Sequence, residues 1–188
     1  MALKLHIIIG STRPGRIGPG IAQWFHGMAQ QNGKFEATLV DLAEVNLPLF
    51  NESQHPRLRK YDHEHTKRWS ALIDGADAFT FVTPEYNHMA PPSLINALDY
   101  LHHEWQYKPA SFVSYGGPAG GARSVVTLKS TLVALKVMPM FESVMLPMVA
   151  TQIKDGKFTA NDGQVTAANV ALDELYKWAD ALKVLRKK

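Results

Sequence analysis

The sequence has 188 residues, 46% hydrophobic and 20% charged, enough for one sizeable core and short for two. That composition excludes a disordered or collagen-like chain, and the lack of cysteine excludes disulfides, thiolate metal sites and cysteine nucleophiles and agrees with a reducing compartment. The net charge of +3 belongs to the end of the chain, where Lys183, Arg186, Lys187 and Lys188 suit a helix C-terminus; the remainder is nearly neutral, so neither nucleic acid nor membrane is an expected partner. No signal-peptide profile opens the sequence, and a cytoplasmic location is expected.

In chain order, Leu3–Ile9 reads as a buried strand running into Gly10. Ile17–Gln31 has helical spacing, with Ile17, Ile21, Trp24, Phe25 and Met28 on one face. Phe35–Val40 is a second strand, and Asp41–Pro56 a long polar connection. Tyr61–Ile73 is helical, anchored by Trp69, Leu72 and Ile73. Ala78–Val82 is a compact apolar strand closed by Thr83 and Pro84. Pro91 and Pro92 suit the first turn of a helix, where a missing N–H costs nothing, and Leu94, Ile95, Leu98, Leu101 and Trp105 follow at helical spacing. Ala110–Ser114 is a fourth strand and Gly121–Leu135 a helix. Val137–Val149 contains a fifth strand broken up by Pro139 and Pro147, Asp155–Gly156 marks a turn suited to a small hairpin, and Val165–Leu185 is a closing helix. This alternation predicts an α/β protein: a flavodoxin-like three-layer sandwich with a five-stranded parallel sheet in the order 2-1-3-4-5.

In such sheets ligands sit beyond the carboxyl ends of the strands at the switch point, here between strands one and three. Three loops converge there: Gly10–Gly18, Thr83–Pro92 and Ser114–Ser124. In the first, the hydroxyls of Ser11 and Thr12, the Arg13 guanidinium and the free N–H groups of the helix start suit a phosphate dianion. Gly10 and Gly15 have the separation of a nucleotide-triphosphate loop, but Arg16 and Ile17 stand where Lys and Ser/Thr are needed. Glycines at 10, 15 and 18 also miss the dinucleotide pattern, so a terminal monophosphate fits better. In the second loop Pro84 stiffens the backbone, Tyr86 offers a flat face, and Asn87 can meet the edge of a heterocycle. Tyr86 also suits a surface or subunit contact, and Glu85 a base, a solvent-exposed carboxylate or one paired with a cation. The third loop carries Gly116, Gly117, Gly120 and Gly121, whose bare backbone can lie against a planar ligand or simply turn in solvent. Arg13 and Arg123 are candidate contacts for an anionic second substrate. Together the loops describe a mononucleotide site, and within this fold FMN is the natural occupant.

Two other chemistries are disfavoured. His63 and His65, and His102 and His103, lack both a shared helix face and zinc-protease spacing, so no metal site is expected. There is no G-x-S-x-G for a serine hydrolase.

Gly10 with Ser11–Thr12–Arg13, PEYN at 84–87, LINALDYLHHEW at 94–105 and SYGG at 114–117 occur in this order and spacing. On these segments the chain resembles the NAD(P)H-dependent FMN reductase family of flavodoxin-like proteins, which includes quinone, azo-dye and chromate reductases. The resemblance implies that residues 1–188 form one FMN-binding domain. It implies that Ser11, Arg13, Ile17 and Gly18 hold the FMN phosphate, that Pro84, Glu85, Tyr86 and Asn87 line the isoalloxazine, and that Ser114, Gly116 and Gly117 close its other edge. It also implies a homodimer or homotetramer with FMN near a subunit interface. Two departures stand out: Gly18 replaces a serine of many relatives, predicting weaker FMN binding, and Ile95 replaces a lysine. The implied reaction passes a hydride from NADPH or NADH to FMN and then electrons to a small-molecule acceptor, such as a quinone, azo compound, metal oxyanion or free flavin. The flavin supplies that chemistry, so no catalytic acid or base is assigned. The competing readings are an FMN electron carrier without nicotinamide turnover, for which this nearly neutral core lacks the expected acidity, and a scaffold that keeps the fold without flavin.

Overall fold

The computed structural model describes residues 2–186. Five parallel strands form one sheet in the order β2-β1-β3-β4-β5: β1 (Leu3–Ile9), β2 (Phe35–Asp41), β3 (Ala78–Pro84), β4 (Pro109–Tyr115) and β5 (Met138–Leu146). β3 and β4 are buried at every residue, as expected of strands covered on both faces. Helices α1 (Gly18–Asn32) and α6 (Asp162–Arg186) cover one face over Ile7, Phe25, Val113, Val144 and Leu172. Helices α3 (Glu64–Asp74), α4 (Pro92–Asp99) and α5 (Ala122–Ala134) cover the other over Trp69, Phe79, Phe81, Leu98, Trp105 and Phe112. The flavodoxin-like order expected from the alternation is therefore the one observed. Among the described residues no helix is long and apolar enough to cross a membrane.

Element boundaries depart from expectation where side chains bind backbone. The Asp41–Pro56 connection contains a short helix, α2 (Leu42–Val45), because the Asp41 carboxylate accepts from the Ala43 N–H as an N-cap. Helix α3 begins at Glu64 rather than Tyr61, since Glu52 accepts the N–H groups of Asp62 and His63 at 2.7 and 3.2 Å and holds them outside the helix. The stripe from Leu94 to Trp105 is not one helix: α4 ends at Asp99 and Trp105 sits on a separate 3-10 turn, His103–Trp105. That turn carries Glu104 inward, only 1% exposed. There it accepts from the hydroxyls of Tyr61 and Ser70 at 2.8 and 2.7 Å and pairs with Arg59. Leu94, Leu98, Leu101 and Trp105 are all buried in the core nonetheless.

β5 runs through Pro139 rather than breaking there. It is an edge strand, and its register against β4 shifts between Ala110 and Phe112, where a missing N–H is harmless. β6 (Ile153–Lys154) and β7 (Lys157–Phe158) form the small hairpin, turning through Asp155 and Gly156 at φ +49° and +74°. Helix α6 opens with Asn161 and Gln164 capping each other's N–H groups at 2.9 and 3.0 Å. Near its end Arg186 pairs with Asp77 at 3.1 Å; Lys187 and Lys188 lie outside the described residues.

Candidate functional site

The first loop leaves β1 at Gly10, whose N–H bonds Val82 O at 2.9 Å and whose carbonyl accepts from Ser93 Oγ at 2.6 Å. An added Cβ on Gly10 would stand 3.1 Å from Leu94 Cδ2 and 3.3 Å from Val82 O, so glycine gives β1 the closest approach to α4. Ser11 is buried, with its Oγ 2.7 Å from the Tyr86 hydroxyl. Arg16 closes the loop on itself: Nη1 donates to Ser11 O at 2.7 Å and to Asp41 Oδ1 at 2.6 Å, and Nη2 to Asp41 Oδ2 at 2.7 Å. This two-pronged, mostly buried pair is a strong one, and it spends the Arg16 charge internally. Arg13 is exposed and makes no ion pair among the described residues. Ile17, the N-cap of α1, offers no side-chain cap, and the first turn carries no acidic residue. Pro19 has no N–H, so among the described residues the helix begins with the N–H groups of Gly18 and Gly20 lacking a side-chain partner and its positive end uncompensated.

The second loop leaves β3 at Pro84 and makes a two-residue turn. Tyr86 and Met89 exchange backbone bonds at 2.9 Å, and Asn87 and His88 take φ +50° and +69°. Asparagine is favoured at such a position. Its side chain is exposed and does not line the cavity described below. Glu85 accepts from the Arg123 N–H at 3.1 Å and forms an ion pair with the Arg123 guanidinium. These bonds hold the Glu85 carboxyl below its usual range. Of the roles weighed for Glu85, the ion-paired one is the one observed: it caps α5 and ties the second loop to the third.

In the third loop the Ser114 hydroxyl is buried and donates to Gly120 O at 2.8 Å. It braces the loop rather than presenting itself to a ligand. Gly116 and Gly117 pair with the turn after β5, Val149 N bonding Gly116 O at 3.1 Å and Met148 N bonding Gly117 O at 2.9 Å. Gly120 requires glycine: at φ +56° an added Cβ would stand 2.7 Å from Met145 Cγ and 2.9 Å from Pro147 N.

The three loops enclose a cavity of about 210 Å³. The structure brings Ser11, Arg13, Ile17, Pro84, Glu85, Tyr86 and Gly116 together there, and adds Gly15, Arg16, Tyr115 and Val149. Gly18, Asn87, Ser114 and Gly117 stand outside its lining. Arg16, Asp41 and Tyr115 were missed by sequence reasoning. Arg16 stood out only as the wrong residue for a triphosphate loop, and Tyr115 falls in the third loop and the SYGG segment without a role of its own, whereas β4 extends to it. A larger cleft of about 910 Å³ lies at the opposite end of the sheet. Its walls include Arg59, Asp74, Asp77 and Arg186, which are already committed to each other or to Glu104 in ion pairs. The smaller cavity is the one at the topological switch, where open α/β sheets bind their ligands.

Residues 3–151 match the family model for NADPH-dependent FMN reductases. The chain is 40% identical over 147 residues to an NAD(P)H-dependent FMN reductase of Schizosaccharomyces pombe, covering 77% of this chain and 74% of that protein. It is 30% identical over 195 residues to an NAD(P)H-dependent FMN reductase of a Nectria species, covering 98% and 97%. A similar fold occurs in the flavoenzyme NAD(P)H:(acceptor) oxidoreductase of Paracoccus denitrificans, with a TM-score of 0.75 at 22% identity over 96% of this chain and 98% of that one. The β1–α1 loop with its unpaired arginine, the turn at Tyr86 and the glycine loop thus lie within the matched region. The chain belongs to the NADPH-dependent FMN reductase family, oxidoreductases that work with FMN and NAD(P)H.

Proposed function

We propose that residues 1–188 act as one FMN-binding reductase domain in which the small cavity takes the FMN phosphate. The observation that carries this reading is the uncapped start of α1 beside Arg13. Among the described residues α1, α3 and α4 all start without a side-chain cap, and of these α1 is the one that opens into the cavity, beside Arg13. An anion there gains both the helix dipole and the guanidinium. The backbone at Ile17 and Gly18 and the Ser11 hydroxyl complete the cradle, with Arg16 locked on Asp41 to hold its shape. Pro84, Glu85, Tyr86, Asn87, Gly116 and Gly117 form the shelf for the isoalloxazine, and Ser114 fixes the third loop beside it. When bound, the flavin supplies hydride acceptance from NADPH or NADH and electron delivery to an acceptor.

Relatives include an NADPH azoreductase of a Bacillus species and a quinone reductase of Pseudomonas putida, which supports planar quinones and azo compounds as acceptors here. Assembly into a homodimer or homotetramer is supported by apolar side chains left exposed on the sheet edge, Phe141 (88% exposed) and Met145 on β5 and Val126 and Val133 on the adjacent α5. A cytoplasmic location agrees with the absence of cysteine.

The test is steady-state NADPH oxidation with FMN and a benzoquinone. Sustained turnover that depends on both is expected. Retained FMN without NADPH oxidation would instead identify an electron carrier.

A further inference from the structure

Tyr115 ends β4, and its ring lies in the core shared with α1 and α6. Its side chain crosses beneath the first loop to the start of α1, and the residue is 4% exposed. The hydroxyl is buried and has no hydrogen-bond partner among the described residues, an arrangement folded proteins avoid unless something else supplies the partner. Its place is defined by Gly18: a Cβ built on that glycine would lie 2.8 Å from the Tyr115 oxygen, 3.7 Å from its Cζ and 3.3 Å from Ile9 Cγ2. The phenol thus occupies the space that a first-turn side chain of α1 would need. Tyr115 also lines the same cavity as Ser11, Arg13, Arg16 and Tyr86. Burial, and secondarily the neighbouring Tyr86, push its phenol up from the ordinary value, so the group keeps its proton and can donate.

We propose that the Tyr115 hydroxyl donates a hydrogen bond to the terminal phosphate of the bound mononucleotide, supplying from β4 the hydroxyl that Gly18 cannot supply from α1. This rests on the reading of the cavity as a phosphate site. It recasts Gly18 as the residue that admits the phenol, rather than as a lost contact. The free protein would carry a dissatisfied hydroxyl that only the phosphate satisfies, so stability without ligand is exchanged for affinity.

The test compares FMN and riboflavin, which share the ring and ribityl chain and differ by the phosphate, through quenching of flavin fluorescence. Wild type is expected to bind FMN much more tightly than riboflavin. Tyr115→Phe should lose about tenfold in FMN affinity, the scale of one hydrogen bond to a charged group, with riboflavin affinity unchanged. Its thermal midpoint without flavin should equal or exceed that of wild type. In Tyr115→Phe/Gly18→Ser the serine Cβ has ordinary contact distance to the ring, so FMN affinity should recover, whereas Gly18→Ser alone should collide with the phenol and bind worse than the double variant. If Tyr115→Phe keeps the wild-type preference for FMN, the Tyr115 assignment is overturned while the phosphate site stands. If wild type itself fails to prefer FMN over riboflavin, the phosphate site and the assignment fall together.

Discussion

Arg13 and Arg16 sit three positions apart and serve opposite ends. Arg16 is bound in two prongs to Asp41 and folds the loop; Arg13 is unpaired and faces solvent at the helix start. Arg13→Ala should therefore weaken FMN binding about tenfold, the loss of one charge-assisted contact, and leave the thermal midpoint close to wild type. Fluorescence titration and a melting curve check both halves, and unchanged FMN affinity removes Arg13 from the site. Arg13 was legible in the sequence because an exposed guanidinium beside loop hydroxyls has few structural uses. The Arg16 role was not legible, because its partner Asp41 is twenty-five residues away and only the β1–β2 pairing brings the two together.

At the scale of elements, the parallel α/β layout was readable because both of its determinants are local, whereas the order 2-1-3-4-5 came from matching that layout to the flavodoxin-like pattern, since β1 pairs with β3 across 73 residues. Buried strands appear as apolar runs, and a parallel sheet requires a crossover helix between neighbours. The start of α3 was not readable, because it is set by the Glu52 carboxylate on the N–H groups of Asp62 and His63, and the separate turn after α4 was not, because it carries Glu104 inward to Tyr61 and Ser70, more than thirty residues away. The glycine loop shows the same limit. Its glycines were visible, but that Gly120 and Gly121 are the ones needing glycine depends on Met145 and Pro147 packed against the first and the Tyr115 backbone against the second. Gly120→Ala should cost about 2 kcal/mol or more, from the positive φ together with the close approach. A urea midpoint equal to that of wild type would show that the loop is free to shift.

β1 carries a second element-scale consequence. His6 is buried, and its Nδ1 has no partner among the described residues. Burial, then the charges of Lys108 and Lys4, push its imidazole down to about 4, against a smaller upward pull from Asp77. The unfolded chain takes up this proton near pH 6.5 and the native state does so only near 4. Stability is therefore expected to be full above the unfolded value and to fall as pH drops through that window. The loss approaches on the order of 3 kcal/mol at its foot. Urea midpoints at neutral pH and at about pH 5, where most carboxylates are still ionised, isolate the effect. His6→Leu should flatten the difference.

For the whole molecule, the open edge at β5 is the exposed liability. A strand edge carrying Phe141 and Met145 beside Val126 and Val133 is the kind that folded proteins cover. Phe141→Lys is expected to shift the sedimentation of the purified protein from an oligomer towards a monomer. A wild-type protein that already sediments as a monomer contradicts this assignment.

The most direct measurement of the reductase reading is a visible spectrum. The protein is loaded with FMN, freed of excess, and given NADPH without oxygen. A retained flavin spectrum that bleaches on addition of NADPH, and returns when a quinone is added, is the expected result. A retained spectrum that stays yellow, or a protein that neither holds flavin nor oxidises NADPH with free FMN present, would contradict it.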